Sequence, residues 1–141
     1  MKEKQLYAAI NKLLPVPFHS QAMTGASMHS NGTPDRYYDP EGGNDLWVEY
    51  KQLTSIPRSG VVIGDYTALQ LRWMERRYRN SLAHGRPNQV GIVGLPNRTA
   101  VIQRTPAEWR EGSPLNEALS LKEVAAWIAE FCLHYSVSSA R

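Results

Sequence analysis

The sequence predicts an α/β fold, a mixed central β-sheet flanked by helices. Three observations lead there. Apolar residues at helical spacing open the chain, recur in its middle and close it. Short apolar or alternating runs bounded by Gly, Pro and Asn lie between them. The resulting order is helix, three strands, helix, two strands, helices, with no linker that divides it, and such an order buries itself in layers.

The elements follow in turn. Lys2 to Leu14 carries Leu6, Ile10, Leu13 and Leu14 at helical spacing and is stopped by Pro15 and Pro17. Glu3 precedes Leu6 and Ile10 by three and seven residues, so it lies near the apolar face in the first turn. His19 to His29 is polar, small and ambiguous, with room for part of a first strand. Asn31-Gly32 is a turn signal, Arg36-Tyr37-Tyr38 suits a short strand, and Pro40 to Asn44 turns again. Asp35 to Lys51 therefore reads as a hairpin whose second arm is Leu46 to Leu53. Along that arm Trp47, Glu49 and Lys51 share one face and Leu46, Val48 and Tyr50 the other.

Thr54 to Tyr66 reads as a loop, although its Val61-Val62-Ile63 run is apolar. Thr67 to Ser81 is a helix carrying Leu69, Trp73 and Met74. Gln89 to Leu95 and Ala100 to Gln103 are strands around a turn at Pro96-Asn97. Thr105 to Glu108 starts a short helix with a capping box, and Ser120 with Glu123 opens another that runs to about His134.

Bulk properties narrow the function. A chain of 141 residues with 42% hydrophobic and 21% charged residues holds one domain with a real core. A net charge of +3 favours a polyanion without naming one. The single cysteine, Cys132, excludes an intramolecular disulfide and a cysteine zinc cluster, and fits a reducing compartment. The N-terminal stretch has no apolar run of the signal-peptide or membrane-spanning kind. The expectation is a cytoplasmic protein with no membrane association. His19, His29, His84 and His134 lack metal-ligand spacing.

One constellation carries chemistry. Asp35 sits at the mouth of one strand, Glu49 lies on its neighbour, and Lys51 follows Glu49 on the same face. Hydrolysis of a phosphodiester requires that the phosphate charge be offset, a water made nucleophilic and the leaving oxygen stabilised. A divalent ion held by carboxylates supplies much of this. Magnesium takes hard oxygens, usually one or two carboxylates with water and phosphate. Lys51 is placed to position the attacking water or neutralise developing charge.

These residues resemble the PD-(D/E)XK nuclease superfamily, and more closely its small phage and bacterial VRR-NUC type. The turn "NGTPD", the strand "LWVEYK", the following "TALQLRWMERR" and the later strand "VGIVGLP" occur in that family's order, over roughly residues 1 to 105. The resemblance implies a restriction-endonuclease-like core with a C-terminal helical extension over about 106 to 141. It implies a DNA endonuclease dependent on Mg2+ or Mn2+, and branched or junction DNA as the favoured substrate. It makes Asp35 and Glu49 metal ligands, joined by the main-chain carbonyl of Tyr50 and by Glu3 on the first helix. Lys51 becomes the catalytic lysine, and Gln70 matches a glutamine on the helix after the motif. The segment "SIPRSGVVIGDY" makes the connection from Lys51 to Gln70 longer than in minimal members. Resolvases of the superfamily work as dimers, so a homodimer is expected, through the C-terminal helix or the Val61 to Ile63 loop.

Each residue also has a bland reading. Asp favours turns, which would explain Asp35 alone. Glu49 and Lys51 could line a solvated strand face, but Trp47 on the same face argues for cover. A glutamate in a first turn, as Glu3, is favoured by the helix dipole. Gln70 fits a capping box with Thr67. Arg72, Arg76 and Arg79 form a basic stripe at helical spacing, with Arg58 on the preceding loop. Given a nuclease site, that stripe suits DNA phosphates. The rival readings are a non-catalytic DNA- or protein-binding module on the same fold and a phage structural or assembly protein.

Overall fold

The computed structural model describes residues 1–14, 20–22, 36–40 and 43–139, the side chains of 20–22 and 134–139 excepted. Asp35, the Asn31-Gly32 turn and most of the His19 to His29 stretch lie outside the described residues. The first helix, α1 (Glu3–Lys12), buries Leu6 and Ile10 as its periodicity predicts. The strands β1 (Ser20–Ala22), β2 (Arg36–Tyr38) and β3 (Leu46–Gln52) follow. A two-residue strand β4 (Val61–Val62) precedes the central helix α2 (Ala68–Ala83). Then come β5 (Gln89–Gly94), β6 (Thr99–Gln103), the short helix α3 (Pro106–Glu111), β7 (Ser113–Pro114) and β8 (Leu119–Ser120). The last helix is α4 (Leu121–Ser139).

Among the described residues the main sheet has six strands in the order β1-β2-β3-β5-β6-β8. Only the β3–β5 pair is parallel, because α2 carries the chain across between them, and the other neighbours run antiparallel. The sheet is therefore mixed, as predicted.

Strand alternation sends side chains into two separate cores. On one face Leu46, Val48, Tyr50, Val90, Ile92, Ala100 and Ile102 pack with Leu6 and Ile10 of α1 and with Leu121, Val124, Ala125, Ile128 and Cys132 of α4. On the other, Val93, Leu95 and Val101 pack with Val62, Tyr66, Met74 of α2 and Trp109 of α3. Burying an aliphatic side chain of this kind is worth about 1.5–3 kcal/mol.

Three departures from the sequence reading stand out. The apolar run in the Thr54 to Tyr66 loop is a strand: Val61 and Val62 pair with Pro114 and Ser113 in a small second sheet. That places Val62 in the core and leaves Val61 and Ile63 outside. The stretch before α4 is also extended, and β8 closes one edge of the main sheet against Thr99 and Ala100. Finally, Leu69 is exposed and only Met74 of α2 is fully buried, so this helix lies over the sheet along a narrow line.

The apolar face of α4 is spent inside this domain, between α1 and the sheet. It also anchors the turn into β3. The N–H of Asn44 donates to the Cys132 carbonyl at 3.0 Å, and a Cβ on Gly43 would come within 2.4 Å of that same oxygen. Burial pushes the Cys132 thiol up to about 12, which keeps it protonated and unreactive.

Candidate active site

β3 carries the candidate residues because its sequence alternates. Leu46, Val48 and Tyr50 enter the α1–α4 core, so Trp47, Glu49 and Lys51 point to the α2 side. Glu49 is 1% exposed. Enclosing a carboxylate is costly unless its surroundings compensate the charge, and the Tyr66 phenol lies near enough to feel that charge.

Glu49 stands level with Gly91 of β5, and Gly91 stands level with Gln103 of β6. Tyr66 lies over this row. A Cβ on Gly91 would fall 1.9 Å from the Tyr66 hydroxyl, and a Cβ on Gly64 would fall 2.4 Å from the Tyr66 ring. Two glycines are thus needed to seat one phenol. Between them in sequence, Asp65 takes a left-handed φ of 55°, a conformation that aspartate tolerates better than most residues. The Tyr66 hydroxyl donates to Gln103 Oε1 at 2.7 Å. Gln103 in turn donates from Nε2 to the Val62 carbonyl at 2.9 Å, and its own carbonyl accepts from Trp109 Nε1 at 2.8 Å. Burial raises the Tyr66 pKa most, and the negative charges of Glu49 and then Glu108 raise it further. The phenol is therefore neutral, a fixed dipole beside a buried carboxylate.

Lys51 lies one row further along, level with Val93 and half-buried. Two strand residues separate its Cα from that of Glu49 by about 6.6 Å. The backbone of Tyr50 faces away from β5. Trp47 N–H donates to the Asn88 carbonyl and Leu53 N–H to the Gly94 carbonyl, which directs alternate residues to β5 and the Tyr50 carbonyl to the β2 side. The Tyr50 side chain is in the opposite core, its hydroxyl 2.7 Å from that of Tyr38.

The other candidates fall elsewhere. Glu3 is exposed in the first turn of α1, which packs on the opposite face of the sheet from Glu49. Gln70 forms the capping box: its Oε1 accepts from Thr67 N–H at 2.9 Å, and its own N–H donates to Thr67 Oγ1 at 3.1 Å. Arg58 is exposed on the loop before β4. The basic stripe divides. Arg72 and Arg79 line a cleft with Glu75 and Arg110, which are ion-paired with each other. Arg76 lines a different cleft with Trp73, Arg77 and Asn80.

Of the residues predicted from sequence, the described structure brings Glu49 and Lys51 onto one face with the Tyr50 carbonyl beside them. Sequence reasoning passes over Tyr66 and Gly91 beside the carboxylate and Gln103, which holds Tyr66; Arg77, which it places only near the basic stripe, has its guanidinium 4.3 Å over the Trp47 ring. The Gly64-Asp65-Tyr66 run is the available signal, since a glycine followed by a residue suited to positive φ marks a tightly set aromatic.

The donors suit one class of metal. A buried carboxylate and a backbone carbonyl are hard oxygens of the kind magnesium and manganese accept. Among the described residues no three His, Cys, Asp or Glu side chains converge. Among the described residues no helix is long and apolar enough to cross a membrane.

No protein-family model and no curated protein matches this chain. Among solved structures it is similar to Hjc of Archaeoglobus fulgidus, a Holliday junction resolvase from an archaeal hyperthermophile. The TM-score is 0.52 over 89% of this chain and 96% of that one, at 15% sequence identity. At that identity the likeness is one of fold: a mixed sheet flanked by helices with a restriction-endonuclease-like core. Its 89% coverage is more than residues 1 to 105 can supply.

Proposed function

We propose that this chain is a metal-dependent DNA endonuclease that hydrolyses phosphodiester bonds and selects branched or junction DNA. The observation that carries the reading is the buried Glu49 with Lys51 on the same strand face, in a fold similar to that of a Holliday junction resolvase. The finer assignment, a VRR-NUC-like member of the PD-(D/E)XK superfamily of phage or bacterial origin, rests on the sequence resemblance alone.

In this reading Asp35 and Glu49, with the Tyr50 carbonyl, hold Mg2+ or Mn2+; Glu3, on the helix under the other face of the sheet, is assigned to the ion by the superfamily resemblance alone. When bound, the ion offsets the charge of the scissile phosphate and makes a neighbouring water more acidic. Glu49 fixes the position of the site, since its carboxylate is set in a packed sheet and has little freedom to move. Tyr66, locked to Gln103, adds a neutral dipole at its side. Lys51 orients the attacking water and balances charge that grows on the phosphate oxygens. Arg58, Arg72, Arg76 and Arg79 bind flanking phosphates. Gln70, as the cap of α2, fixes the start of the helix that carries three of those arginines, and the superfamily resemblance adds a direct part in catalysis. A cytoplasmic homodimer, with one subunit for each cut strand, completes the proposal.

The test is cleavage of supercoiled, linear, single-stranded and four-way-junction DNA with magnesium, manganese or EDTA. Cutting that needs the ion, favours the junction and is lost in Asp35→Ala is the expected result. Lys51→Ala should cut at least about 100-fold more slowly while folding and binding DNA normally. Binding without cutting on every substrate would make the chain a non-catalytic binding module.

A further inference from the structure

The proposed chemistry leaves one feature unused. On the outer side of α2, Trp73, Arg76, Arg77 and Asn80 line a cleft of about 230 Å³. It is smaller than the roughly 300–1,000 Å³ of pockets for drug-sized ligands, so it suits a single flat ring rather than an extended molecule. We propose that this cleft is a subsite for one unpaired base of the bound DNA strand, stacked on Trp73. The inference rests on the DNA-binding reading above and specifies the feature of the substrate that is recognised.

Four observations support it. Trp73 is half-buried on a helix whose only fully buried side chain is Met74, so its indole is not consumed by the core. The Arg76 guanidinium stands 5.8 Å from the Trp73 ring, at the outer limit of a cation–π contact. It can yield that face to a base and remain beside the attached phosphate. Arg77 is held differently, 4.3 Å over Trp47, whose ring is itself 4.3 Å from that of Tyr37. This stack fixes a second guanidinium at the floor of the cleft. Asn80 is exposed and offers both a donor and an acceptor to a base edge.

Charge and position agree. Among the described residues the lining includes two arginines and no carboxylate, whereas the neighbouring clefts along the same helix include Glu75 or Asp45. Trp47 precedes Glu49 by two residues on one face of β3, about 6.6 Å along the strand. A base held at the Arg77 end is therefore on the same side of the sheet as Glu49 and Lys51. Stacking on an aromatic ring is tolerant of sequence because every base has a π face. It is available only where a base has left its partner, as at a branch point. The cleft thus provides selectivity for structure without reading sequence.

The experiment measures binding in EDTA, so that cleavage plays no part. Its probes are a paired duplex, a single strand of the same sequence, and a forked duplex carrying 2-aminopurine at the unpaired positions. Trp73→Ala should weaken binding to the fork and the single strand about 5- to 100-fold and leave the duplex unchanged within about twofold. Trp73→Phe should keep most of the affinity. The 2-aminopurine fluorescence should be quenched by the wild type and not by Trp73→Ala. Equal weakening on all three DNAs, with an unchanged melting temperature, would overturn the subsite and leave the nuclease reading standing. Failure of the wild type to bind any of the three would overturn both.

Discussion

The two faces of the sheet are built from the same strands and bury different things. The face under α1 and α4 is filled by aliphatic side chains and a pair of tyrosines that satisfy one another. The face under α2 and α3 holds Glu49, Gln89 and Gln103 in the same strands, with Ser113 in the small sheet beside them. One face supplies stability at little chemical risk. The other accepts buried polar groups, which cost stability unless each is satisfied. A carboxylate placed among the aliphatic side chains of the first face would be costly to bury. In the second it lies near a tyrosine whose hydroxyl is already bonded to a glutamine. The difference separates what the protein needs to fold from what it needs to act.

Substitutions can test how far that separation holds. The largest effect is expected at Glu49. Glu49→Gln should weaken manganese binding, read by titration calorimetry, by at least about 100-fold, since even outer-shell changes cost 10- to 100-fold. The same variant should unfold at the same temperature or higher, because an amide is cheaper to bury than a charge. A clear fall in stability would mean that the carboxylate is structural.

The complementary change is Ile128→Ala in the opposite core. It should cost about 2–5 kcal/mol in denaturant unfolding and leave the manganese affinity of the folded protein unchanged. Gly91→Ala sits between the two. Its methyl would collide with the Tyr66 hydroxyl, so a loss of about 1–3 kcal/mol is expected. Tyr66→Phe removes the nearest atom of that clash, so the double variant should recover part of the loss. Full additivity in the double variant would show that Tyr66 is not what Gly91 makes room for.

A pH effect follows from burial. Tyr38, Tyr50 and Tyr66 are all raised from an ordinary value of 10.0, chiefly by desolvation. A raised phenol favours the folded state fully below pH 10, and that contribution is lost as pH rises further, because the unfolded chain ionises first. Unfolding free energy should therefore fall steeply above about pH 10, and Tyr66→Phe should flatten the fall. An unchanged slope in Tyr66→Phe would place that hydroxyl in water. The smallest effect is at the cap: Thr67→Ala should cost about 1 kcal/mol without altering metal affinity.

Much of this arrangement is legible in the amino-acid sequence. The alternation of Leu46 to Lys51 tells which side chains share a face, and helical spacing tells that Leu6, Ile10, Val124 and Ile128 do. The capping box at Thr67 and Gln70 can be read directly, because it is a contact between near neighbours. What stays hidden depends on residues far apart in the chain. Val61-Val62 is too short to show a period, and its partners, Ser113 and Pro114, lie in a segment with no strand signal of its own. The basic stripe can be read from the sequence, but Arg110, which comes from another helix and pairs with Glu75 beside Arg72 and Arg79, cannot. Gly91 reads as an ordinary small residue in an apolar run, and its use emerges only once Tyr66 is laid across it. Asp35, the partner that the sequence assigns to Glu49, lies outside the described residues.

The parallel pairing of β3 with β5 also bears on when the site comes into being. Glu49 and Lys51 are synthesised well before Gly91 and Gln103, and the whole of α2 must cross over before the strands can meet. Until then the two residues are part of an open edge in water. Contacts between segments so distant in sequence are slow to form because a large loop must close first. A nascent chain released short of β5 would carry every residue of the "EYK" run without the strands that bring Gly91 and Gln103 to it. On this reasoning the proposed site is completed late and all at once.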